Sequence, residues 1–417
     1  MSMSKFKRRI GECIPNRFMK KRDQICFCLF ALSMGIFFPI FLLLVKAGFI
    51  RVFALRSERI GHLVPDSVEM LEKCATSKAL INAFFCKGAV SNSYWIKIIK
   101  ESDASLQWWQ SMIVFYFWVK LFGCDEMIDH CCDNMSRVHS NELISPSVAN
   151  LLEKAQKKIH SDASAFSNFV DTYKPFEFIV IGVRNEVFSV SNLNMMDGAI
   201  DHHAKRNSDI QLFRQGVSEL LLEGYKVVRV GREGPALDII HENFLDYVTF
   251  NGKHDILDVY LHAFCRGNIN TCFGPNWISA VFDRPLLHIN VADTTAFFSS
   301  HKVMMAPKLL RDLRTNKFVE FERWFELMKP DRSVKDLKSR EQLELLDIPS
   351  DILAMIILEF NKFCDGGWLP SSANSDIRSR VLKLKYMKNL VRTFGLDAHF
   401  VLSNCWVTLY ENGRDDG

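Results

Sequence analysis

Short apolar segments alternate with segments of helical length over much of the chain. Five have strand length, at Phe178–Val183, Lys226–Val230, Asp246–Phe250, Asn268–Cys272 and Leu286–Asn290, and each of the last four follows a stretch that can be helical. This alternation predicts βαβ units with a mostly parallel sheet, and therefore an α/β fold. Ligands of such sheets bind beyond the carboxyl ends of the strands, so the residues there are the first candidates for a site.

Polar residues and a glycine-proline turn occupy these predicted strand ends. They are Arg184 after the first strand, Arg229 and Gly231 at the end of the second, and Thr271, Gly274 and Asn276 around the end of the fourth. Arginine binds phosphate oxygens through two parallel hydrogen bonds, and the start of a helix offers unpaired N–H groups. Together they predict a diphosphate site, although a single arginine at a strand end is more often a solvated surface charge.

The N-terminal region combines a basic arm with an apolar segment. Residues 1–23 contain eight lysines or arginines and two acidic residues, so the rest of the chain is close to neutral, which argues against nucleic acid as a partner. The 21 residues of Ile25–Val45 carry no charge. That length can cross a hydrocarbon core of ~30 Å as a helix, so we predict a basic arm at 1–24 and a membrane segment at 25–47. Spanning and interfacial arrangements both remain open.

The cysteines favour free thiols. Nine of the twelve lie beyond the apolar segment without a regular framework, which fits a reducing compartment better than a disulfide scaffold. Cys124, His130, Cys131 and Cys132 have metal-ligand side chains, but adjacent cysteines on a helix point in different directions. We therefore predict no metal site.

The order and spacing of several motifs resemble proteins assigned as bacterial glycosyltransferases of surface-polysaccharide and lipopolysaccharide gene clusters. The resemblance covers roughly residues 50–400. The matching residues are Arg59–Leu63, Arg206–Ile210, Glu223–Gly231, Asp246-Tyr247, Asp255–Leu261 with Cys265, Pro285 with Asn290, and Ala306-Pro307-Lys308.

The resemblance implies the GT-B architecture, in which two Rossmann-like domains are joined and the second binds a nucleotide sugar. The expected domains are an acceptor domain at 48–174, a donor domain at 175–330 and a helical tail at 331–417. The strand-end Arg184 is similar to the arginine that holds the diphosphate in fucosyltransferases of this architecture. Because nucleotide sugars are cytosolic in bacteria, we expect a membrane-anchored protein whose catalytic domain faces the cytosol.

The resemblance also assigns roles to individual residues. Gly61 and His62 belong to a loop after the first strand of the acceptor domain, where His62 would contact acceptor or leaving group, or else cap the helix. Arg206 ends a long polar loop that we interpret as a lid or acceptor loop, with a surface insertion as the alternative. Asp258 would reach the ribose or base. No Asp-x-Asp motif is present, so neither a divalent ion nor another cofactor is expected.

Two positions depart from the family. Asn185 replaces an aspartate and Phe273 replaces a serine, which removes a carboxylate and a hydroxyl from the expected phosphate site. Three functions therefore stay open. The chain is predicted to be a glycosyltransferase acting on a surface glycan or lipid-linked acceptor, and the alternatives are a nucleotide-sugar epimerase or hydrolase of the same shape and a non-catalytic membrane-tethered subunit.

Overall fold

The computed structural model describes residues 35–109, 111–131, 144–185, 205–271, 274–294, 302–329, 334–385, 387–388 and 401–415. They form an α/β protein with two parallel, Rossmann-like sheets, as the alternating pattern predicts. The chain divides into two compact units near residue 160.

The first unit is built on a four-stranded parallel sheet. Its elements are α1 (Phe38–Lys46), β1 (Ile50–Leu55), α2 (Ile60–Ala75), β2 (Ile81–Cys86), α3 (Ser93–Ser102), β3 (Leu106–Trp108), α4 (Met112–Phe122), β4 (Asp129–His130) and α5 (Pro146–Ala163), which continues into the second unit. The strand order is β3-β2-β1-β4. β1 and β2 are almost entirely buried, as expected for central strands of a parallel sheet.

The predicted membrane segment is described only in its second half. There α1 is a nine-residue helix, and Phe38, Phe41 and Val45 pack against the core of the first unit. None of the helices among the described residues is long and apolar enough to cross a membrane, so the expected spanning helix is not found in this part of the chain. Residues 25–34 lie outside the described residues.

The second unit contains a seven-stranded parallel sheet. Its strands are β5 (Phe178–Gly182), β6 (Lys226–Val230), β7 (Phe244–Asp246), β8 (Gly267–Asn270), β9 (Leu286–Val291), β10 (Val303–Pro307) and β13 (Val401–Leu402); β11 (Leu309–Asp312) and β12 (Leu343–Leu346) form a separate antiparallel pair. The order is β13-β10-β9-β8-β5-β6-β7. The order reverses between β5 and β8, and the gap beyond the carboxyl ends at such a reversal is where ligands of open α/β sheets bind.

Helices cover the second sheet. They are α6 (Ser167–Thr172), α7 (Arg214–Leu222), α8 (Asp255–Phe264), α9 (Asn276–Val281), α10 (Phe321–Leu327), α11 (Val334–Glu341), α12 (Ser350–Cys364), α13 (Ser372–Lys383) and α14 (Asn404–Asp415). α7 and α12 approach closely at Gly216, where a Cβ atom would lie 2.6 Å from Ile357 Cδ1. Glycine is therefore required there unless the Ile357 side chain moves.

The C-terminal residues belong to the second unit. The sequence predicted a helical tail at 331–417. β13 extends the sheet beside β10. Glu359 of α12 accepts hydrogen bonds from Trp368 Nε1 at 2.6 Å, from Asn404 N at 2.7 Å and from Cys405 N at 3.1 Å. The buried carboxylate thus binds the first turn of α14, where backbone N–H groups have no partner within the helix.

The third predicted strand of the second unit is displaced. We expected Asp246–Phe250, whereas β7 ends at Asp246. The Asp246 carboxylate accepts a hydrogen bond from Val248 N at 3.1 Å, and Thr249 N donates to Asp246 O at 3.1 Å. This side-chain-stabilised turn competes with an extended conformation, so the apolar run after Asp246 is not a strand.

Candidate functional site

The carboxyl ends of β5 and β8 meet at the point where the strand order reverses. Arg184 N donates a hydrogen bond of 2.8 Å to Thr271 Oγ1. Arg184 lies just past β5 and Thr271 directly follows β8, whose last residue Asn270 pairs with Gly182. The threonine is buried and the arginine side chain is half-buried, so this bond fixes Arg184 at the rim of the gap between the two strands.

A second arginine is brought to the same rim by the segment 205–208. Ser208 N donates to Arg184 O at 2.9 Å. The segment is further held by Lys308 Nζ, which donates to Asn207 O at 2.7 Å, and by Lys205 Nζ, which donates to Lys329 O at 3.0 Å. Arg206 lies between these anchored residues and is half-buried. The fold therefore brings the segment that carries Arg206 to Arg184, although 21 residues separate the two arginines in the sequence. Of the predicted lid, which runs from after Arg184 to Asn207, residues 186–204 lie outside the described residues.

The electrostatic environment of this rim is cationic. Lys205 and Lys308 are buried at the same edge, and Lys308 forms an ion pair of 2.5 Å with Asp347. Buried Asp293 follows β9. With Arg184 and Arg206, the described residues named here are four cations and two carboxylates. We call Arg184, Arg206, Thr271, Lys205 and Lys308 the cationic rim.

Arg229 forms a buried ion pair. Its side chain is only 4% exposed and donates from Nη1 to Asp246 at 2.6 Å. Asp246 also accepts from Leu237 N at 3.2 Å. The guanidinium is thus bound to a carboxylate on a neighbouring strand, and the expected sharing of one diphosphate by Arg184 and Arg229 stays a prediction. A buried charge needs such a partner, which gives Arg229 a structural role.

Asn185 braces the loop that follows β6. Its Nδ2 donates to Glu233 O at 3.0 Å. Gly234 passes so close that a Cβ atom there would lie 2.0 Å from this nitrogen, and its φ of +140° is one that other residues rarely adopt. An aspartate at 185, the residue expected from the resemblance, could not donate to this carbonyl. Gly231 begins this loop, and Val248 Cγ2 lies 3.2 Å from where its Cβ would be.

Asp258 faces protein groups. It lies in the first turn of α8 and bonds to the hydroxyl of Tyr247, which accepts from His254 N at 3.1 Å. Burial raises the pKa of Asp258, an effect that the Tyr247 hydrogen bond opposes. A carboxylate that accepts from Tyr247 has further acceptor sites, so the contact of Asp258 with a ribose or base stays a prediction.

Buried polar side chains of β8, β9, α8 and α9 form a hydrogen-bond network that was not predicted from the sequence. His288 Nδ1 lies 2.7 Å from Asn270 Oδ1, and Asn270 Nδ2 donates to Asn268 Oδ1 at 3.2 Å. Asn268 Nδ2 donates in turn to His262 Nδ1 at 3.0 Å and to Ser279 Oγ at 2.8 Å. Since the Asn270 oxygen accepts, His288 carries its proton on Nδ1. The available signal was the period of two that places Asn268 and Asn270 on one face of a buried strand.

Asn276 connects this network to the surface. It is the first residue of α9, is half-buried, and donates from Nδ2 to Asn270 Oδ1 at 3.3 Å. Gly274 and Pro275 precede it at the carboxyl edge, while Phe273 lies outside the described residues. α9 has only six residues, which is too short for an anion site at its N-terminus. The Asn276 side chain is therefore the candidate contact for a ligand at this edge.

Both histidines of the network are neutral at physiological pH. Burial lowers the pKa of His262 to about 3 and the pKa of His288 to about 4. In the unfolded chain a histidine has a pKa of about 6.5. Below that pH the unfolded state binds protons and the folded state does not. The stability that the two neutral histidines contribute is therefore fully present above pH ~6.5 and is lost as the solution is acidified.

We expect His288→Gln to reduce the slope with which the free energy of unfolding falls as the pH is lowered. Each buried histidine contributes a slope of about 1.4 kcal/mol per pH unit between its unfolded and folded pKa values, and the variant lacks one of them. The free energy of unfolding by urea, measured from pH 7 to pH 5, gives the slope. His241→Gln removes an exposed histidine and serves as the control. An unchanged slope in His288→Gln would show that His288 is protonated alike in both states.

In the first unit the predicted loop at Arg59–His62 is instead the start of a helix. α2 begins at Ile60, and His62 N donates to Arg59 O at 2.9 Å. Gly61 and His62 are half-buried in this first turn, beyond the carboxyl end of β1. Nearby, Arg56 Nε donates to buried Asp66 at 3.0 Å, and this pair fixes the turn from β1 into α2.

The cysteine-histidine cluster takes no metal-binding form in the described part of the chain. No group of three or more histidine, cysteine or acidic residues there is arranged to hold a metal ion. His130 Nδ1 instead lies 3.0 Å from Lys87 Nζ, and burial raises the pKa of the Cys131 thiol. Cys132 lies outside the described residues.

Comparison of the chain with protein-family models, with curated proteins and with solved structures found no match.

Proposed function

We propose that this chain is a GT-B glycosyltransferase that moves a sugar from a nucleoside-diphosphate donor to a surface glycan or lipid-linked acceptor. Its two Rossmann-like parallel sheets, with orders β3-β2-β1-β4 and β13-β10-β9-β8-β5-β6-β7, support this architecture. The donor diphosphate would lie at the carboxyl edge of the second sheet.

One observation carries the proposal. The hydrogen bonds from Arg184 N to Thr271 Oγ1 and from Ser208 N to Arg184 O bring two arginine-bearing segments to the reversal of strand order. Open α/β sheets bind nucleotides at this place, and guanidinium groups match the geometry of phosphate oxygens. The segment Arg206–Ile210, one of those that carry the resemblance, lies at this same reversal of strand order, because Ser208 N donates to Arg184 O.

The chemistry assigned to the cationic rim is stabilisation of the leaving group. As the glycosidic bond breaks, negative charge grows on the diphosphate, and fixed cations already in place stabilise that charge without reorganisation. Arg184 and Arg206 bind the phosphate oxygens, while the buried Lys205 and Lys308 keep the segment of Arg206 in position. Asn276, held by Asn270, offers its carboxamide oxygen to a donor hydroxyl or base.

In the acceptor domain, His62 takes the proton of the attacking hydroxyl. Its place in the first turn of α2, beyond β1, is the corresponding edge of the first sheet. Imidazole is suited to this role because its ordinary pKa lies near neutral pH.

The test measures binding and turnover separately on the full chain. A thermal-shift panel with UDP, GDP, dTDP and their sugar conjugates should show stabilisation by one nucleotide, about 2.7 kcal/mol at 100 times its dissociation constant. Turnover of that donor is then followed with and without a lipid-linked glycan. Transfer that needs the glycan supports the proposal. Nucleotide release at an equal rate without it indicates a hydrolase, binding without turnover indicates a non-catalytic subunit, and absence of all binding overturns the site.

A further inference from the structure

An exposed apolar surface covers one side of the first unit. Among the described residues, exposed large apolar side chains such as Leu222 and Ile240 occur in several places, and six lie in or beside α1. We call these six the apolar face; each is between 51% and 79% exposed, and they are Ile36, Phe37, Ile40, Leu43, Phe49 and Phe122. Concentrated exposed apolar surface marks an interaction site, while scattered apolar residues do not.

The geometry of α1 explains how the apolar face forms. Ile36, Ile40 and Leu43 follow a helical spacing and lie on one side, while the opposite side of the helix packs on the core of the first unit. Phe38 joins α1 to the end of α4, since its ring lies 5.6 Å from Phe122 between centroids. The helix is thus apolar all round, with one side covered by protein and the other open.

Charge next to the apolar face identifies its partner. Lys46 ends α1 and is exposed. Upstream, residues 1–23 contain eight basic residues. Only twelve residues, 23–34, separate Arg22 from Gly35, so this positive charge is close to the apolar face along the chain. An apolar surface beside a dense positive charge matches the acyl boundary and headgroups of an anionic bilayer.

We infer that the apolar face rests in the interface of an anionic lipid bilayer, with α1 in the membrane plane as part of the first unit. The inner side of α1 belongs to the protein core, so this helix enters the membrane only with its outer side. The inference is independent of sugar transfer, because it is tested without a nucleotide.

The experiment is flotation of the full chain with vesicles of equimolar phosphatidylglycerol and phosphatidylcholine. The variant Ile40→Asp/Leu43→Asp is expected to reduce the partition coefficient about tenfold or more, because two apolar side chains leave the interface. The control, Leu222→Asp/Ile240→Asp, changes two still more exposed apolar residues of the second unit and should bind like wild type. Thermal unfolding of both variants should be unchanged.

The basic arm is tested in parallel. Lys20→Gln/Lys21→Gln/Arg22→Gln is expected to weaken binding to these vesicles about tenfold or more and to leave binding to pure phosphatidylcholine unchanged. Wild-type binding by Ile40→Asp/Leu43→Asp would overturn the inference. A lowered melting temperature of that variant would show that another segment of the chain covers the face. Loss of concentration-dependent self-association would show that a second copy covers it.

Discussion

Arg184→Ala is expected to lower kcat/KM for the nucleotide-sugar donor about 100-fold or more and to abolish the thermal shift caused by the nucleotide. The lost guanidinium would otherwise stabilise the charge that develops on the diphosphate, and removal of one such donor typically costs this much. Stability should change little. Arg184 is half-buried, and its bonds to Thr271 and Ser208 use backbone atoms that alanine retains.

Two further variants sharpen this result. Arg184→Lys keeps the charge but not the two parallel hydrogen bonds, so it should recover only part of the activity. Arg314→Ala removes an exposed arginine of the second unit that lies in the turn after β11, and is expected to behave like wild type. Equal nucleotide binding by Arg184→Ala and wild type would show that the diphosphate is not bound at the cationic rim.

Arg229→Ala is expected to lower the free energy of unfolding by about 3–5 kcal/mol. The substitution leaves Asp246 as a charge without its partner in the interior, and breaking a buried ion pair from one side has a cost of this size. Denaturation by urea measures the loss through its midpoint at constant m value.

The double variant Arg229→Met/Asp246→Asn separates the ion pair from other effects. It removes both charges, and the side-chain oxygen of the introduced asparagine can still accept from a backbone N–H, so a substantial part of the lost stability should return. If Arg229→Ala folds with wild-type stability and loses nucleotide binding, Arg229 is a ligand residue after all and its ion pair opens when the donor binds.

The contrast between the two arginines shows what local sequence could not decide. Arg184 and Arg229 both end apolar strands, and phosphate chemistry suits either one. Arg229 pairs in register with Asp246 on the neighbouring strand, 17 positions along the chain. The backbone of Arg184 is instead hydrogen-bonded to the Thr271 side chain and to Ser208 of the segment 205–208. Only the strand order and register place a carboxylate next to one arginine and a second arginine near the other.

The same distinction applies to the elements. The sequence alone predicted β5, β6 and β9 closely because a buried parallel strand must be a short apolar run between turns, which is a local property. The start of α3 is local in the same sense, since the Asn92 side chain accepts from Trp95 N at 2.8 Å as a helix cap. β10 and β13 were missed since their membership of the sheet depends on neighbours distant in sequence.

The sequence by itself therefore determined the α/β class, the positions of most central strands and the residues at their ends. The tertiary structure decided which of those residues share a site. It paired Arg229 with Asp246, brought Arg206 to Arg184, buried His262 and His288 in a neutral network, and divided the apolar α1 into a packed side and an open side. The local pattern of apolar and polar residues indicates whether a residue is buried. The partner of a buried or half-buried charge is instead set by strand register and by contacts between residues far apart in the chain.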